Sequence, residues 1–219
     1  MAGPAALLFD LDGTMLNTDH IHRQIFADMM RPHGLDITES FYNAHIHGRL
    51  NEDFFAEFLP ELPDPKGLSD AKEAEFRNRL PQPYPAMPGV VDLVRQAQDI
   101  GWALAVVTNA QRANAEAMLN AIGVRDAFDV IIIGEECELG KPHPMPYLMA
   151  MDQLGVTAER AIAFEDSPSG LRSACASGAY TVGVRSTLSD ADMRAEGAQT
   201  SITDFTDPAL SQILANFAR

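Results

Sequence analysis

The sequence has little positive charge and no long apolar run. Lys and Arg together number 16 against 31 Asp and Glu, which gives a formal net charge of −15. Such an acidic surface repels phosphate backbones and anionic headgroups, so we expect neither nucleic acid nor a membrane as a partner. No stretch approaches the roughly 18 apolar residues that a membrane-spanning helix needs. We also expect no signal peptide, because the first apolar run lacks a preceding basic segment and ends at Asp10.

Cysteine and lysine are also scarce. Cys137 and Cys175 are too few for a disulfide framework and lack metal-type spacing, which is typical of a protein in the reducing cytoplasm. We therefore predict a cytoplasmic location. The only lysines are Lys66, Lys72 and Lys141, so a lysine beside an acidic site would be conspicuous. With 219 residues, 46% of them hydrophobic, the chain can hold one sizeable core and a smaller inserted domain.

Hydrophobic patterning divides the chain into two parts. Residues 16–85 show helical periodicity without a convincing buried strand, and the proline-rich run 81–85 predicts a linker. After Pro88 and Gly89, near-continuous apolar runs alternate with helical stretches, as is typical of parallel strands covered by helices on both faces. We therefore predict an α/β fold: a Rossmann-like parallel sheet of at least five strands flanked by helices, with an inserted α-helical domain.

The predicted strands begin with the apolar run near the start of the sequence. They span residues 6–10, 103–108, 129–134, 161–165 and 180–184. Because a helical segment separates the first strand from the others, we predict a core domain from residues 1–15 and 86–219 and an inserted domain from residues 16–85. Polar residues before apolar helical stretches of the insertion predict helix N-caps at Asp19, Thr38, Asn51 and Ser69.

Polar side chains follow the ends of several predicted strands. They are Asp10 and Asp12 after the first strand, Thr108 and Asn109 at the end of the second, Lys141 in the loop after residues 129–134, and Glu165 and Asp166 at the end of the 161–165 strand. Ligands of parallel α/β sheets bind beyond the carboxyl ends of the strands. We therefore expect these acids, the hydroxyl and a rare lysine to meet at one edge of the sheet.

This set of groups suits a phosphate monoester as substrate. A carboxylate can attack phosphorus to form an acyl phosphate, which splits hydrolysis into two easier displacements. We predict a Mg²⁺ cofactor, because a hard cation held by oxygens of Asp10 and Asp166 would relieve repulsion between nucleophile and phosphate. Lys141 would neutralise the remaining phosphate charge, and Thr108 would donate a hydrogen bond to a phosphate oxygen. Asp12 could protonate the leaving oxygen and later accept a proton from water.

With these motifs, the chain resembles the haloacid dehalogenase superfamily over nearly its whole length. The motifs are Asp10-Leu11-Asp12-Gly13-Thr14, Thr108, Lys141 and Glu165-Asp166, in the order that the superfamily has them. The resemblance implies that Asp10 is the nucleophile and Asp12 the general acid and base. It also implies that the Asp12 carbonyl and Asp166 complete the Mg²⁺ ligands, with Glu165 either a direct ligand or a group that only orients its neighbours. We place Asn109 with Thr108 and Lys141 in the predicted substrate-binding set.

The helical insertion resembles the small cap that closes over the site in this superfamily. Residues 15–18 and 82–88 would be its hinges. His22 and the pair Gly48–Arg49 resemble positions at which phosphosugar-handling relatives place cap residues over the substrate. We therefore predict that Arg49 and His22 contact the substrate, with a surface histidine and a solvated arginine as the alternative.

Asp12 separates the chain from two related chemistries. Members that cleave carbon–halogen bonds lack this second aspartate because no alcohol leaving group needs a proton, and phosphonate-cleaving members have a small residue there. The resemblance therefore implies a Mg²⁺-dependent phosphatase that acts on a small phosphorylated metabolite, a sugar phosphate or a similar phosphomonoester, through an aspartyl-phosphate. A phosphosugar mutase of the β-phosphoglucomutase type and a non-catalytic binding module with the same fold are the alternatives. The oligomeric state stays open, with a monomer as one option.

Overall fold

The structure is a computed structural model that describes residues 5–46 and 49–218. His47 and Gly48, the second of which belongs to the predicted Gly48–Arg49 pair, lie outside the described residues. The chain forms two compact units. The larger unit comprises Met1–Asn17 and Gln82–Arg219, and the smaller unit comprises Thr18–Pro81.

The described residues of the smaller unit form four α-helices. They are α1 (Asp19–Met30), α2 (Glu39–His45), α3 (Asn51–Phe58) and α4 (Pro65–Arg79). Phe26 of α1 and Phe54 of α3 meet edge to face with ring centroids 5.4 Å apart, and Phe55 and Tyr42 belong to the same buried cluster. Large buried rings supply much of the apolar area that a small helical unit can remove from water.

One of the four predicted N-caps in this unit is confirmed. The hydroxyl of Thr38 accepts a hydrogen bond from the third residue of α2, as a helix cap does. The other three predictions are wrong, because α1 begins at Asp19 itself, α3 begins at Asn51, and Ser69 lies inside a helix that begins at Pro65. The side-chain amide of Asn51 donates instead to the Ser69 hydroxyl at 3.2 Å. Asn51 and Ser69, which the local pattern assigned to helix ends, are therefore hydrogen-bonded to each other across two helices.

The described part of the larger unit contains one parallel sheet of six strands. They are β1 (Ala6–Phe9), β2 (Ala103–Thr108), β3 (Val130–Ile133), β4 (Ala161–Glu165), β5 (Tyr180–Val184) and β6 (Thr200–Ile202). Their order across the sheet is β3-β2-β1-β4-β5-β6, and every neighbouring pair is parallel. The predicted α/β class with a parallel sheet is confirmed. β6 is absent from the predicted strands because a three-residue strand with two polar residues carries almost no periodic signal.

Helices cover both faces of this sheet. They are α5 (Val90–Asp99), α6 (Arg112–Ala121), α7 (Met145–Leu154), α8 (Pro168–Ala176), α9 (Asp190–Ala195) and α10 (Pro208–Phe217). Successive strand residues point to opposite faces, so Leu8 packs in the same cluster as Tyr147 of α7, whereas Phe9 stacks on Phe164 at 5.0 Å. Within the described ranges, no helix has the length and apolar character needed to cross a membrane.

The register of the sheet positions the site. Phe9, the last residue of β1, lies opposite Val106 of β2 and Phe164 of β4. The backbone N–H of Asp10 continues the pairing by donating to the Phe164 carbonyl at 2.9 Å. Asp10 therefore leaves the sheet at the same edge as Glu165, the residue that follows Phe164.

Candidate active site

A tight turn after β1 places Asp10 and Asp12 at the carboxyl edge of the sheet. Gly13 holds φ at 87°, a left-handed conformation that residues with a Cβ rarely adopt. Its N–H donates to the Leu16 carbonyl at 2.7 Å and closes the turn. A Cβ on Gly13 would overlap the carboxylate of Asp166. This glycine therefore serves two purposes: it permits the turn, and it lets the Asp166 carboxylate approach the backbone.

Lys141 reaches into this turn from the loop before α7. Its ammonium donates to Asp10 Oδ1 at 2.7 Å, to Glu165 Oε1 at 2.5 Å and to the Val107 carbonyl at 2.8 Å. Only 3% of the lysine side chain is exposed, so these contacts replace its hydration. The structure thus brings Lys141, Asp10 and Glu165 together, and it also links the lysine to β2 one residue before Thr108.

Asp166 lies beside this group and has its own hydrogen-bond partners. The hydroxyl of Ser186, in the loop after β5, donates to Asp166 Oδ2 at 2.7 Å. Thr14, the last residue of the first motif, donates to Asp166 Oδ1 at 3.5 Å. Ser186 was not predicted from the sequence because a single serine after an apolar strand is common at loop starts and carries no spacing signal.

The three acids are arranged so that they could hold a cation. Asp10, Glu165 and Asp166 are buried, and each offers a carboxylate oxygen within 4.8 Å of the others; they are the one such group among residues 5–46 and 49–218. Oxygen donors of this kind suit a hard divalent ion such as Mg²⁺. Three carboxylates against the single ammonium of Lys141 leave an excess of negative charge, which a divalent cation would neutralise. The residues present therefore fit the predicted cofactor.

Burial and like charge raise the pKa values of two of these acids. Burial, followed by the charge of Glu165, raises the pKa of Asp10 to about 7 even though Lys141 opposes the shift. Burial and the charges of Asp10 and Glu165 raise the pKa of Asp166 well above its ordinary value. Burial alone would lower the pKa of Lys141, but Asp10 and Glu165 outweigh it and raise that pKa. Lys141 is therefore charged throughout the physiological pH range.

Thr108 and Asn109 occupy the end of β2, next to the carbonyl that Lys141 contacts. The buried Thr108 hydroxyl accepts a hydrogen bond from the Ala110 N–H at 3.1 Å and retains its own proton to donate. Asn109 is exposed, and a Cβ on Gly134 would overlap its side-chain oxygen. The loop that leads to Lys141 thus packs directly against Asn109.

Arg49 and His22 belong to the smaller unit. Arg49 forms an ion pair with Glu57 at 2.8 Å. His22 is half-buried, stacks on Phe76 with ring centroids 4.2 Å apart, and its Nδ1 lies 2.7 Å from the ammonium of Lys72. The proposal that either residue contacts the substrate stays a prediction, and so does the alternative of a surface histidine and a solvated arginine.

Lys72 was not predicted as a partner of His22. It is 4% exposed, and its ammonium also donates to Glu73 at 2.8 Å. The sequence signal was its position four residues before Phe76, on the same side of a predicted helix. The contact between Lys72 and His22 could not be predicted, because the two residues are 50 positions apart and nothing in the local pattern connects α1 with α4.

Comparison with known proteins agrees with this arrangement. The family model described as haloacid dehalogenase-like hydrolase matches residues 7–184. The protein CbbY of Rhodobacter capsulatus is 35% identical over 191 residues, which cover 81% of this chain and 83% of the relative. Validoxylamine A 7′-phosphate phosphatase of Streptomyces hygroscopicus subsp. limoneus is 32% identical over 202 residues, which cover 91% of this chain and 93% of the relative.

A solved structure extends the likeness to three dimensions. CbbY from Rhodobacter sphaeroides, in complex with xylulose-(1,5)bisphosphate, superposes with a TM-score of 0.79 at 28% identity. The superposition covers 93% of this chain and 95% of the other. The match spans both the six-stranded sheet and the helical segment that interrupts it. Sequence and structure together lead to one conclusion: the chain belongs to the haloacid dehalogenase-like hydrolase family and is a hydrolase of phosphoric monoesters.

Proposed function

We propose that this protein is a Mg²⁺-dependent phosphatase that hydrolyses a small phosphorylated metabolite, a sugar phosphate or a similar phosphomonoester, through an aspartyl-phosphate at Asp10. The observation that carries the proposal is the contact of one buried ammonium, Lys141, with both Asp10 and Glu165 inside a group of three acids. The similarity to a sugar-bisphosphate complex of CbbY and to a phosphatase of a phosphorylated metabolite supports this substrate class. The scarcity of cysteine supports a cytoplasmic location.

The first half-reaction transfers the phosphoryl group to the protein. A carboxylate oxygen of Asp10 attacks phosphorus, and the ester bond between phosphorus and the leaving oxygen breaks. Asp12 gives its proton to that oxygen, so the product leaves as an alcohol. Lys141 and the Thr108 hydroxyl stabilise the charge on the phosphoryl oxygens, and Asn109 completes the proposed set of substrate-binding groups on β2.

The second half-reaction regenerates Asp10. Water attacks the phosphorus of the aspartyl-phosphate while Asp12, now ionised, accepts the proton of that water. The bond between phosphorus and the Asp10 oxygen breaks, which releases inorganic phosphate. Bound Mg²⁺, held by the carboxylates of Asp10 and Asp166 and the carbonyl of Asp12, would supply positive charge at the phosphate. Ser186 and Thr14 hold Asp166 ready for that ligand role.

We also propose, on the family resemblance, that residues 16–85 form a cap and that Arg49 and His22 in it contact the substrate. The ring of His22 stacks on Phe76, and its Nδ1 lies 2.7 Å from the ammonium of Lys72, so a cation lies next to the ring. Arg49 is a second cation in the same unit of an acidic protein. Both cations pair with acids, Arg49 with Glu57 and Lys72 with Glu73, so we expect them to offer hydrogen-bond donors to the substrate rather than long-range attraction.

A screen of phosphorylated metabolites with added Mg²⁺ tests the proposal. We expect release of inorganic phosphate from one or a few sugar phosphates by the native enzyme and none by Asp10→Asn, with circular dichroism showing that the variant is folded. Hydrolysis by folded Asp10→Asn would contradict the assignment of Asp10 as nucleophile. An isomerised sugar phosphate in place of free phosphate would identify a mutase.

Removal of the metal tests the cofactor. A chelator should abolish phosphate release, and added Mg²⁺ should restore it. In the absence of substrate, Mg²⁺ should raise the melting temperature of the native protein, because a ligand that binds only the folded state stabilises it. The rise should be smaller in Asp166→Asn. Full turnover in chelator would refute the dependence on metal.

A further inference from the structure

Tyr147 of α7 lies directly beneath the catalytic group, although none of the family motifs includes it. Its side chain is fully buried and is among the largest fully buried side chains in the described residues. The ring lies below the ammonium of Lys141, with the nitrogen 5.4 Å from the ring centroid. The phenolic hydroxyl donates to Glu165 Oε1 at 2.9 Å. A single side chain thus contacts both Lys141 and the acid that pairs with it.

Glu165 is saturated with hydrogen-bond donors from the protein. Its Oε1 accepts from Lys141 and Tyr147, and its Oε2 accepts from the Asp166 N–H at 3.1 Å and from the N–H and hydroxyl of Ser167 at 3.4 and 3.3 Å. A carboxylate offers about four lone-pair sites, so both oxygens are fully used. Glu165 is therefore held as an orienting group, in contrast to Asp166, whose carboxylate accepts hydrogen bonds from the hydroxyls of Thr14 and Ser186.

The carboxylate of Glu165 has no room to move toward α8. A Cβ on Gly170, in the first turns of that helix, would overlap the carboxylate, which shows how closely the glutamate packs on the helix backbone. On the opposite side, the hydroxyl of Tyr147 limits its position. The three donors of the Lys141 ammonium are all used, by Asp10, Glu165 and Val107. The direction in which Lys141 faces Asp10 consequently depends on where Glu165 lies.

We propose that Tyr147 is a positioning residue of the active site: its hydroxyl fixes Glu165, and Glu165 in turn aims the ammonium of Lys141 at Asp10. The inference rests on the proposed function for its kinetic consequence, because aiming matters only if Lys141 acts on a phosphoryl group at Asp10. Charges that are oriented before the reaction stabilise a transition state more than mobile ones do. The ring of Tyr147 packs in the hydrophobic core, and the hydroxyl makes the hydrogen bond to Glu165. The proposed positioning role therefore belongs to the hydroxyl.

The variant Tyr147→Phe tests this inference because it keeps the ring and its packing and removes only the hydroxyl. We expect kcat to fall about tenfold, with KM within about threefold of the native value, since the lost contact concerns the orientation of a charge in the transition state. Tyr180→Phe is the matched control: Tyr180 begins β5, at the opposite end of the strand from the acids, and meets Phe217 edge to face, so its variant should keep native kcat. A kcat for Tyr147→Phe within twofold of native would overturn the inference.

A second measurement detects the positioning without turnover. The chain has three lysines, so ¹⁵N-lysine labelling gives few ammonium signals, and Lys141→Met identifies the one from Lys141. In Tyr147→Phe, the Lys141 ammonium signal should shift and its hydrogen exchange should accelerate, whereas the signal of the other buried lysine, Lys72, should stay in place. An unchanged Lys141 signal would overturn the inference.

The two proposals fail in different ways. Hydrolysis by folded Asp10→Asn would refute the proposed function, and the ammonium signal would still report whether Tyr147 positions Lys141. Inactive Asp10→Asn together with fully active Tyr147→Phe would leave the proposed function standing and remove Tyr147 from the site.

Discussion

Lys141 donates to Asp10 Oδ1 at 2.7 Å from a loop that lies 131 residues further along the chain. The contact couples the proposed nucleophile to a charge whose own position is set by Glu165 and β2. Burial removes the hydration of the ammonium, so its charge is compensated by its protein acceptors, Asp10 and Glu165 among them. Most of the expected behaviour of the site follows from this confined set of charges.

The stability of the metal-free protein should depend on the ionisation of Asp10. Burial and the Glu165 charge raise the pKa of Asp10 from an ordinary 3.8 to about 7. Between these two pH values the folded state binds more protons at this site than the unfolded state, so the free energy of unfolding falls as the pH rises. We expect metal-free Asp10→Asn to lack this decrease and to exceed the native protein in stability at pH 8.

Urea unfolding in the presence of a chelator, at several pH values from 5 to 8, measures this effect. Asp99→Asn, an exposed position, changes the net charge by the same amount and serves as the control. The advantage of Asp10→Asn over the native protein should shrink as the pH falls. If the free energies of unfolding of Asp10→Asn and the native protein changed in parallel across this pH range, the expected ionisation of Asp10 would be contradicted.

The variant Asp12→Asn should affect substrates according to their leaving groups. An alkyl phosphate needs a proton on its leaving oxygen, and positioned acid catalysis contributes about 10²- to 10⁴-fold to such steps. In an aryl phosphate with an acidic phenol, the phenolate leaves without that proton. Phosphoenzyme formation from the aryl phosphate should therefore slow much less than from the alkyl phosphate. Burst kinetics with the two substrate types separates this step from hydrolysis of the intermediate. Equal losses on both would remove Asp12 as the acid.

Gly13→Ala should weaken metal binding as well as the fold. Alanine in a left-handed conformation costs about 1 kcal/mol or more, and the new Cβ would displace the carboxylate of Asp166. Gly123→Ala is a matched control, because Gly123 has a similar φ of 72° and a Cβ there would meet nothing within 4 Å beyond its chain neighbours. Both variants should lose stability, but only Gly13→Ala should lose at least about tenfold in Mg²⁺ affinity by calorimetry. Equal Mg²⁺ affinities in the two variants would contradict the proposed role of Asp166.

Arg49→Ala should change substrate preference without changing the chemistry. If Arg49 contacts the remote part of the substrate, its loss raises KM for the natural sugar phosphate and leaves KM for a small aryl phosphate nearly unchanged. Glu57→Ala breaks the same ion pair from the other side and controls for local disturbance. The same change in KM for both substrates of Arg49→Ala would remove Arg49 from the specificity set.

The parts of the fold and site that could be predicted are those written in consecutive residues. Apolar runs gave five of the six strands within one residue of their observed ends. Polar groups at those ends identified Asp10 and Glu165, which Lys141 joins in the structure. These residues come together because the carboxyl ends of all strands in a parallel sheet lie at the same edge.

The contacts that could not be predicted depend on partners distant in sequence. In the sequence, Tyr147 looks like an ordinary core aromatic of a helix. Its hydroxyl reaches Glu165 only because α7 packs against β3, β2 and β1. Asn51 and Ser69 have the composition of helix caps, and their mutual hydrogen bond is decided by the packing of α3 against α4. The residues next to a polar side chain do not reveal this contact, because the partner that competes with the helix backbone lies far away in the sequence.

The central position of β1 has a consequence for biosynthesis. Ala6 pairs with Ala103 on one side and with Ala161 on the other, so the strand that carries Asp10 leaves the ribosome long before either neighbour exists. Contacts this remote in sequence make folding slow and leave an apolar strand exposed meanwhile. The nascent chain cannot assemble its acidic centre until β4 has emerged. Truncated chains that end before β4 should therefore depend on chaperones and aggregate readily.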